Sequence, residues 1–208
     1  MYPSLAATSE TIRHLVEGAM TSDIGPTGLA GFFAGASRFV SLATPEEMRN
    51  AGQQGLSVWL YRVVRDEQHL NDPPTVRTLP GGVVQIVPPP LPVRLHYLLT
   101  PLAVNAPDTE QRILGRAMQT LHTNPILAGA ALQAEFAGTD AEIHVRLEAL
   151  SLDEISLVWQ ALEGSYQLCV SYEVTLARID SAAEPAPATL VESVRPEYAL
   201  IVDAEPAP

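Results

Sequence analysis

Tyr166, Leu168, Val170, Tyr172, Val174 and Leu176 place an apolar side chain at every second position, a run longer than any other of its kind in the chain. Alternation with a period of two is what an extended strand requires, because successive side chains point to opposite faces of a sheet. Such a strand needs neighbours for its backbone N–H and C=O groups and a layer of structure over its apolar face. The rest of the sequence must supply both.

The neighbours are visible. Residues 56–64, LSVWLYRVV, are apolar on both faces, as expected of a strand inside a covered sheet. Residues 91–99 alternate, with Val93, Leu95, Tyr97 and Leu99 on one face and Arg94 and His96 on the other. Residues 143–147 repeat the pattern, residues 38–42 form a short strand candidate ahead of Pro45, and residues 83–87 follow a Pro80-Gly81-Gly82 turn. The covering layer is legible as helices. Ile12, Leu15, Val16 and Met20 make one stripe, and Ile113, Leu114, Ala117, Met118 and Leu121 a second. Asp108 is the expected cap of this second helix, with Gln111 three residues on and Asn124-Pro125 as its stop. Ile155, Val158, Trp159 and Leu162 form a third stripe behind a Ser151–Glu154 capping box, with Leu150 placed to staple on Ile155 and Gly164 as the stop.

Helices and strands do not alternate regularly, which favours an α+β fold, a largely antiparallel mixed sheet flanked by helices. Residues 1–180 read as one domain. Residues 181–208 read as a Pro/Ala-rich extension, with one further extended segment over 189–202 and a loose tail. At 47% hydrophobic and 17% charged, the chain can bury a core.

Charge and cysteine content narrow the function. Asp and Glu number 24 against 12 Lys and Arg, a formal net charge of -12, and every one of the basic residues is arginine. That field opposes binding to phosphate backbones or anionic lipid, so neither nucleic acid nor membrane insertion is expected. The single cysteine, Cys169, requires no oxidising compartment. The N-terminus carries no secretory pattern, and residues 24–37, IGPTGLAGFFAGAS, are too short and glycine-rich to span a bilayer. Synthesis and folding in the cytoplasm are expected.

Catalytic signatures are missing where they would be sought. The histidines His14, His69, His96, His122 and His144 share no ligand spacing such as HxxxH, there is no GxSxG, and a lysine-free chain has no Walker lysine. Glu46-Glu47 and Asp153-Glu154 sit at helix starts, where acidic residues complement the dipole. Pro89, Pro92 and Arg94 match a PxxPxR polyproline ligand, but they run into a strand pattern, which favours a sheet edge. No catalytic residue, cofactor or metal centre is expected.

Four blocks carry a resemblance: PPPLPVRLHYLLTP at 88–101, EQRILGRAMQTLHTNPIL at 110–127, LDEISLVWQAL at 152–162 and YQLCVSYEVTLARID at 166–180. Together they resemble the cap, or tube-terminator, proteins of extracellular contractile injection systems, phage-tail-like particles of the antifeeding-prophage and virulence-cassette kind. The likeness runs from about residue 12 to residue 180, and the LHYLLTP block with the LGRAMQTLH helix is its most specific part. It implies a fold similar to phage tail terminators. It also implies a hexameric ring of this chain that ends the inner tube and holds the last sheath layer, with the tube and sheath proteins as partners. Assembly in the cytoplasm follows, with the finished particle either kept inside the cell or released. Another tail or baseplate component is the alternative, and a small enzyme of unrecognised class the remote one.

On that reading the assembly contacts fall in three places. Gly28, Phe32 and Phe33 lie in the apolar loop and would meet the tube rim or the lumen. Pro89 and Pro92 mark one sheet edge and Val191, after Ala188, another, where a sheath arm could add as a strand. Arg94, Arg112 and Arg116 lie off the apolar stripes and would face a neighbour.

Overall fold

The computed structural model describes residues 4–69, 72–81, 83–179 and 186–187. In chain order these form α1 (Ser4–Thr21), α2 (Ala30–Phe33), β1 (Arg38–Ser41), α3 (Pro45–Asn50), β2 (Gln54–Arg65), β3 (Thr75–Thr78), β4 (Val84–Val87) and β5 (Leu91–Leu102). Next come α4 (Pro107–Thr123), β6 (Ile126–Ala128), β7 (Glu142–Glu148), α5 (Leu152–Ala161), β8 (Val170–Ile179) and β9 (Ala186–Pro187). The chain divides into two units, residues 1–72 with 90–181, and residues 73–89 with 182–208.

The first unit holds a six-stranded sheet in the order β1-β2-β5-β8-β7-β6. Among the described strands of this sheet only β1 with β2 is parallel; the other pairs are antiparallel. The α+β class expected from the sequence is the observed one. One face of the sheet carries Leu95, Tyr97, Leu99, Val145 and Val174, and α1 and α4 cover it with Ile12, Val16, Met20, Ile113, Ala117 and Leu121. The Ser9 and Tyr97 hydroxyls meet at 2.7 Å inside this layer and satisfy the polar end of a buried tyrosine. On the opposite face α5 packs Trp159 against Leu98 and Cys169. The second unit pairs β3, β4 and β9 in a small antiparallel sheet.

The structure corrects several local expectations. β5 is an interior strand, paired with β2 on one side and β8 on the other, so Pro92 does not mark an edge. Pro92 is tolerated because it is the second residue of the strand, and its carbonyl accepts the Asp66 N–H at 3.0 Å. The strand of the longest alternation starts at Val170; Tyr166 and Leu168 precede it and remain exposed. α4 starts with Ala106 as N-cap and Pro107 at its first turn, which puts Asp108 inside the helix, bound to Arg112. Both capping boxes close: Ser151 with Glu154 as read, and Thr44 with Glu47, which pattern reading missed. After α5 the left-handed residue is Glu163 (φ 53), with Gly164 following it against the Trp159 ring. The residues 189–202, the tail and Val191 lie outside the described residues.

Candidate assembly interface

Most residues expected to face a neighbour are engaged within the chain. A Cβ on Gly28 would stand 2.2 Å from the Asp23 carbonyl oxygen, so glycine there serves the closure of its own turn. Asp23 completes that turn: its carbonyl accepts the Ala30 N–H and its carboxylate the Leu29 N–H, both at 3.1 Å. Leu29 and Phe33 are thereby drawn into the core, which removes Phe33 from any contact surface. Phe32 stays half-buried, with the Arg38 guanidinium 4.6 Å over its ring.

The arginines follow the same logic. Arg112 donates to the Thr27 carbonyl at 3.1 Å and to Asp108, which ties α4 to the turn after α1. Arg116 reaches the Ala19 carbonyl at 3.4 Å in the last turn of α1, where a cation complements the helix dipole. Arg94 lies between Asp66 (3.6 Å) and Glu173 (3.5 Å). Pro89 is exposed, in the second unit.

These ion pairs belong to a polar network on the sheet face beside α5. His96 Nδ1 lies 3.1 Å from both Glu148 oxygens, and the Ser171 hydroxyl donates to Glu148 at 2.7 Å. Tyr61 adds a longer bond to the same carboxylate at 3.4 Å, and Arg146 holds Glu173 at 2.6 Å. Burial pushes the Glu148 carboxyl up, but the hydrogen bonds from Ser171 and His96, the His96 charge and the Tyr61 bond outweigh it and hold it below the usual carboxylate range. Ligand atoms of His96, Glu148 and Glu173 lie within 4.8 Å of one another, one imidazole and two carboxylates that could in principle hold a cation. Glu173, however, is already paired with two guanidiniums, and a metal would sit in their positive field. The donor set fits an internal ion-pair network better than a metal centre. Spacing in the sequence does not reveal it, because its members come from β2, β5, β7 and β8 and are joined only by register.

The accessible apolar features lie elsewhere. Leu152 and Leu157 on the outer side of α5 are 67% and 64% exposed, and Leu147 on β7 is 51% exposed beside a groove under α4. Among the described residues no helix is long and apolar enough to cross a membrane.

A sheet roofed by helices, an ion-pair network across one sheet face in which Arg94 Nε and His96 Nε2 are buried without hydrogen-bond partners among the described residues, and apolar surface left on β7 and α5 together define an α+β packing domain. The chain belongs to the Pvc16 N-terminal domain family, which matches residues 7–193. Its fold is similar to the PVC sheath/tube terminator of an extracellular contractile injection system in its extended state. The TM-score is 0.61 at 17% identity, over 94% of this chain and 64% of that one. It is also similar to the tube-terminating cap of the anti-feeding prophage, with a TM-score of 0.59 at 16% identity, over 95% of this chain and 61% of that one. The chain thus spans less than two thirds of either solved chain. No curated protein matches the sequence.

Proposed function

We propose that this chain is the terminating cap domain of a contractile injection particle, a non-enzymatic component that ends the inner tube and anchors the last sheath layer. Membership of the Pvc16 N-terminal domain family over residues 7–193 carries the reading. The two proteins of similar fold, a sheath/tube terminator and a tube-terminating cap, support it.

The physical task explains why a domain without catalytic machinery suffices. A tube of stacked rings presents a repeated, unsatisfied surface at its end, and heterologous contacts that do not close go on adding subunits. A cap matches that symmetry on one face and withholds a tube-like surface on the other. For a six-fold tube the cap is a hexameric ring of this chain, assembled in the cytoplasm with the particle. Residues 1–180 form the cap domain on this reading, and residues 181–208, Val191 among them, extend it toward a neighbour. Of the loop and arginine contacts, Phe32, Pro89 and the exposed part of Arg112 remain available to tube or sheath.

Deleting the gene and imaging the particles tests the proposal. Ragged, overlong or absent sheath–tube particles are expected; particles of normal uniform length with undisturbed distal ends would overturn it.

A further inference from the structure

β2 runs on past its pairing with β1, which ends at Ser57, and carries Val63 and Arg65 near its far end. Register with β5 sets these two beside Leu95 and Val93, on the face that α1 and α4 cover further along the sheet. Leu91, two residues before Val93 on β5, joins them on that face. Val63 and Leu91 are each 45% exposed, and Arg65 is exposed beside them. Arg65 holds no ion pair among the described residues. Its neighbour Arg62 turns to the other face, opposite His96, where it lies in the field of Glu154.

α5 carries the counterpart on the opposite face of the same sheet. Trp159 turns inward onto Leu98, and the other side of the helix is left to solvent. Asp153 and Leu157 stand four residues apart, so they share that outer side. Leu157 is 64% exposed, and Asp153 is exposed without an ion pair among the described residues. Each patch thus sets large apolar side chains beside one uncommitted charge, and the two charges are opposite. Lying on opposite faces of one sheet, the patches cannot cover each other within a chain.

We infer that Val63, Arg65 and Leu91 of one copy of this chain pack on Asp153 and Leu157 of a second copy. Two copies of net charge -12 repel each other as wholes. Contact between them needs a place where a free cation meets a carboxylate and apolar surface leaves water together with it. These two patches meet both conditions. A copy joined through Arg65 still presents its own Asp153, so the contact is heterologous and runs on from copy to copy until it closes. The inference rests on the capping reading for that closure into a ring, and deepens it by naming the two surfaces that join neighbours.

Sedimentation velocity of the full chain tests the inference, and the unsubstituted chain is expected to self-associate. Arg65→Asp and Asp153→Arg are each expected to weaken that association at least about tenfold, because like charges then face each other across the contact. An equimolar mixture of the two variants is expected to regain it, since each repels itself yet meets the opposite charge on the other. Leu157→Ser, which leaves every charge in place, is the independent variant and is expected to weaken association likewise. An unsubstituted chain that stays monomeric would leave the patches to tube, sheath or the chain's own tail and overturn the inference. Folded charge variants that associate as well as the unsubstituted chain, or a mixture that stays apart, would also overturn it. All three outcomes leave the capping reading intact. Particles of normal length after gene deletion, beside a chain that associates as described, would overturn the capping reading while supporting the contact.

Discussion

The indole N–H of Trp159 donates to the sulfur of Cys169 across 3.4 Å and joins α5 to the residue just ahead of β8. Trp159 is 2% exposed, and its ring meets Tyr166 edge-on at 6.4 Å. Removing it would open a cavity between α5 and the sheet that so short a helix cannot close. Trp159→Ala is expected to cost about 3–5 kcal/mol, read from denaturant midpoints; a loss below about 1 kcal/mol would mean the helix is not held by this ring. Burial pushes the Cys169 thiol up against the opposing pull of the indole bond, so alkylation at neutral pH should be slow until the protein unfolds.

Gly55 and Gly52 both have positive φ, +122° and +66°, but only one has a wall in front of it. A Cβ on Gly55 would lie 2.2 Å from the Phe39 carbonyl oxygen, inside the parallel pairing of β1 with β2; at Gly52 nothing lies within 4 Å. Gly52→Ala should therefore cost about 1–2 kcal/mol, the left-handed strain alone. Gly55→Ala should cost about 2–4 kcal/mol, because backbone must move as well. Thermal unfolding of the two variants checks the order, and equal losses would contradict it.

The stripes that became α1, α4 and α5 are legible because each helix turns its large apolar residues to one face, although α1 also buries Thr8, Ser9 and Thr11, whose hydroxyls bond back to the preceding turn. β5 was misplaced as an edge because proline was weighed without its position; at the second residue of a strand it displaces little of the ladder. The intrachain contacts of the exposed arginines are hidden from the sequence for a related reason. Arg112 and Arg116 do lie off the apolar stripe, but what a polar face meets depends on neighbouring elements, here the Thr27 and Ala19 carbonyls at the end of α1.

Glu148 supplies a pH dependence with a definite sign. Its carboxyl is held below its ordinary value in the fold, so the unfolded chain binds the proton first as pH falls. The stabilisation from its bonds to His96 and Ser171 is complete above the ordinary carboxylate range and is lost as pH drops through the lowered value. Glu148→Gln should flatten the loss of stability between about pH 5 and pH 3 relative to the unsubstituted chain, measured as denaturant midpoints across that range. An unchanged slope would show that other carboxylates carry the acid sensitivity.

Duplex DNA is expected to be a poor partner, and for a reason beyond the net charge of -12. Binding to a phosphate backbone gains its free energy by releasing counterions from several phosphates at once, which takes a cluster of uncommitted cations. Arg13 is held by Glu10 and Glu17, Arg49 by Glu46, Arg94 by Asp66 and Glu173, Arg112 by Asp108 and Arg146 by Glu173. Each of these five would have to leave a carboxylate that then repels the incoming phosphate. The exposed Arg62, Arg65 and Arg77, which hold no ion pair among the described residues, act against the overall negative field. Fluorescence anisotropy with a labelled duplex should show no saturable binding at physiological salt up to tens of micromolar protein. Lowering the salt should not rescue it, because the whole-chain field repels more strongly as screening weakens. Micromolar binding that falls steeply with salt would reveal a cationic patch and move the proposed role toward a junction that passes nucleic acid.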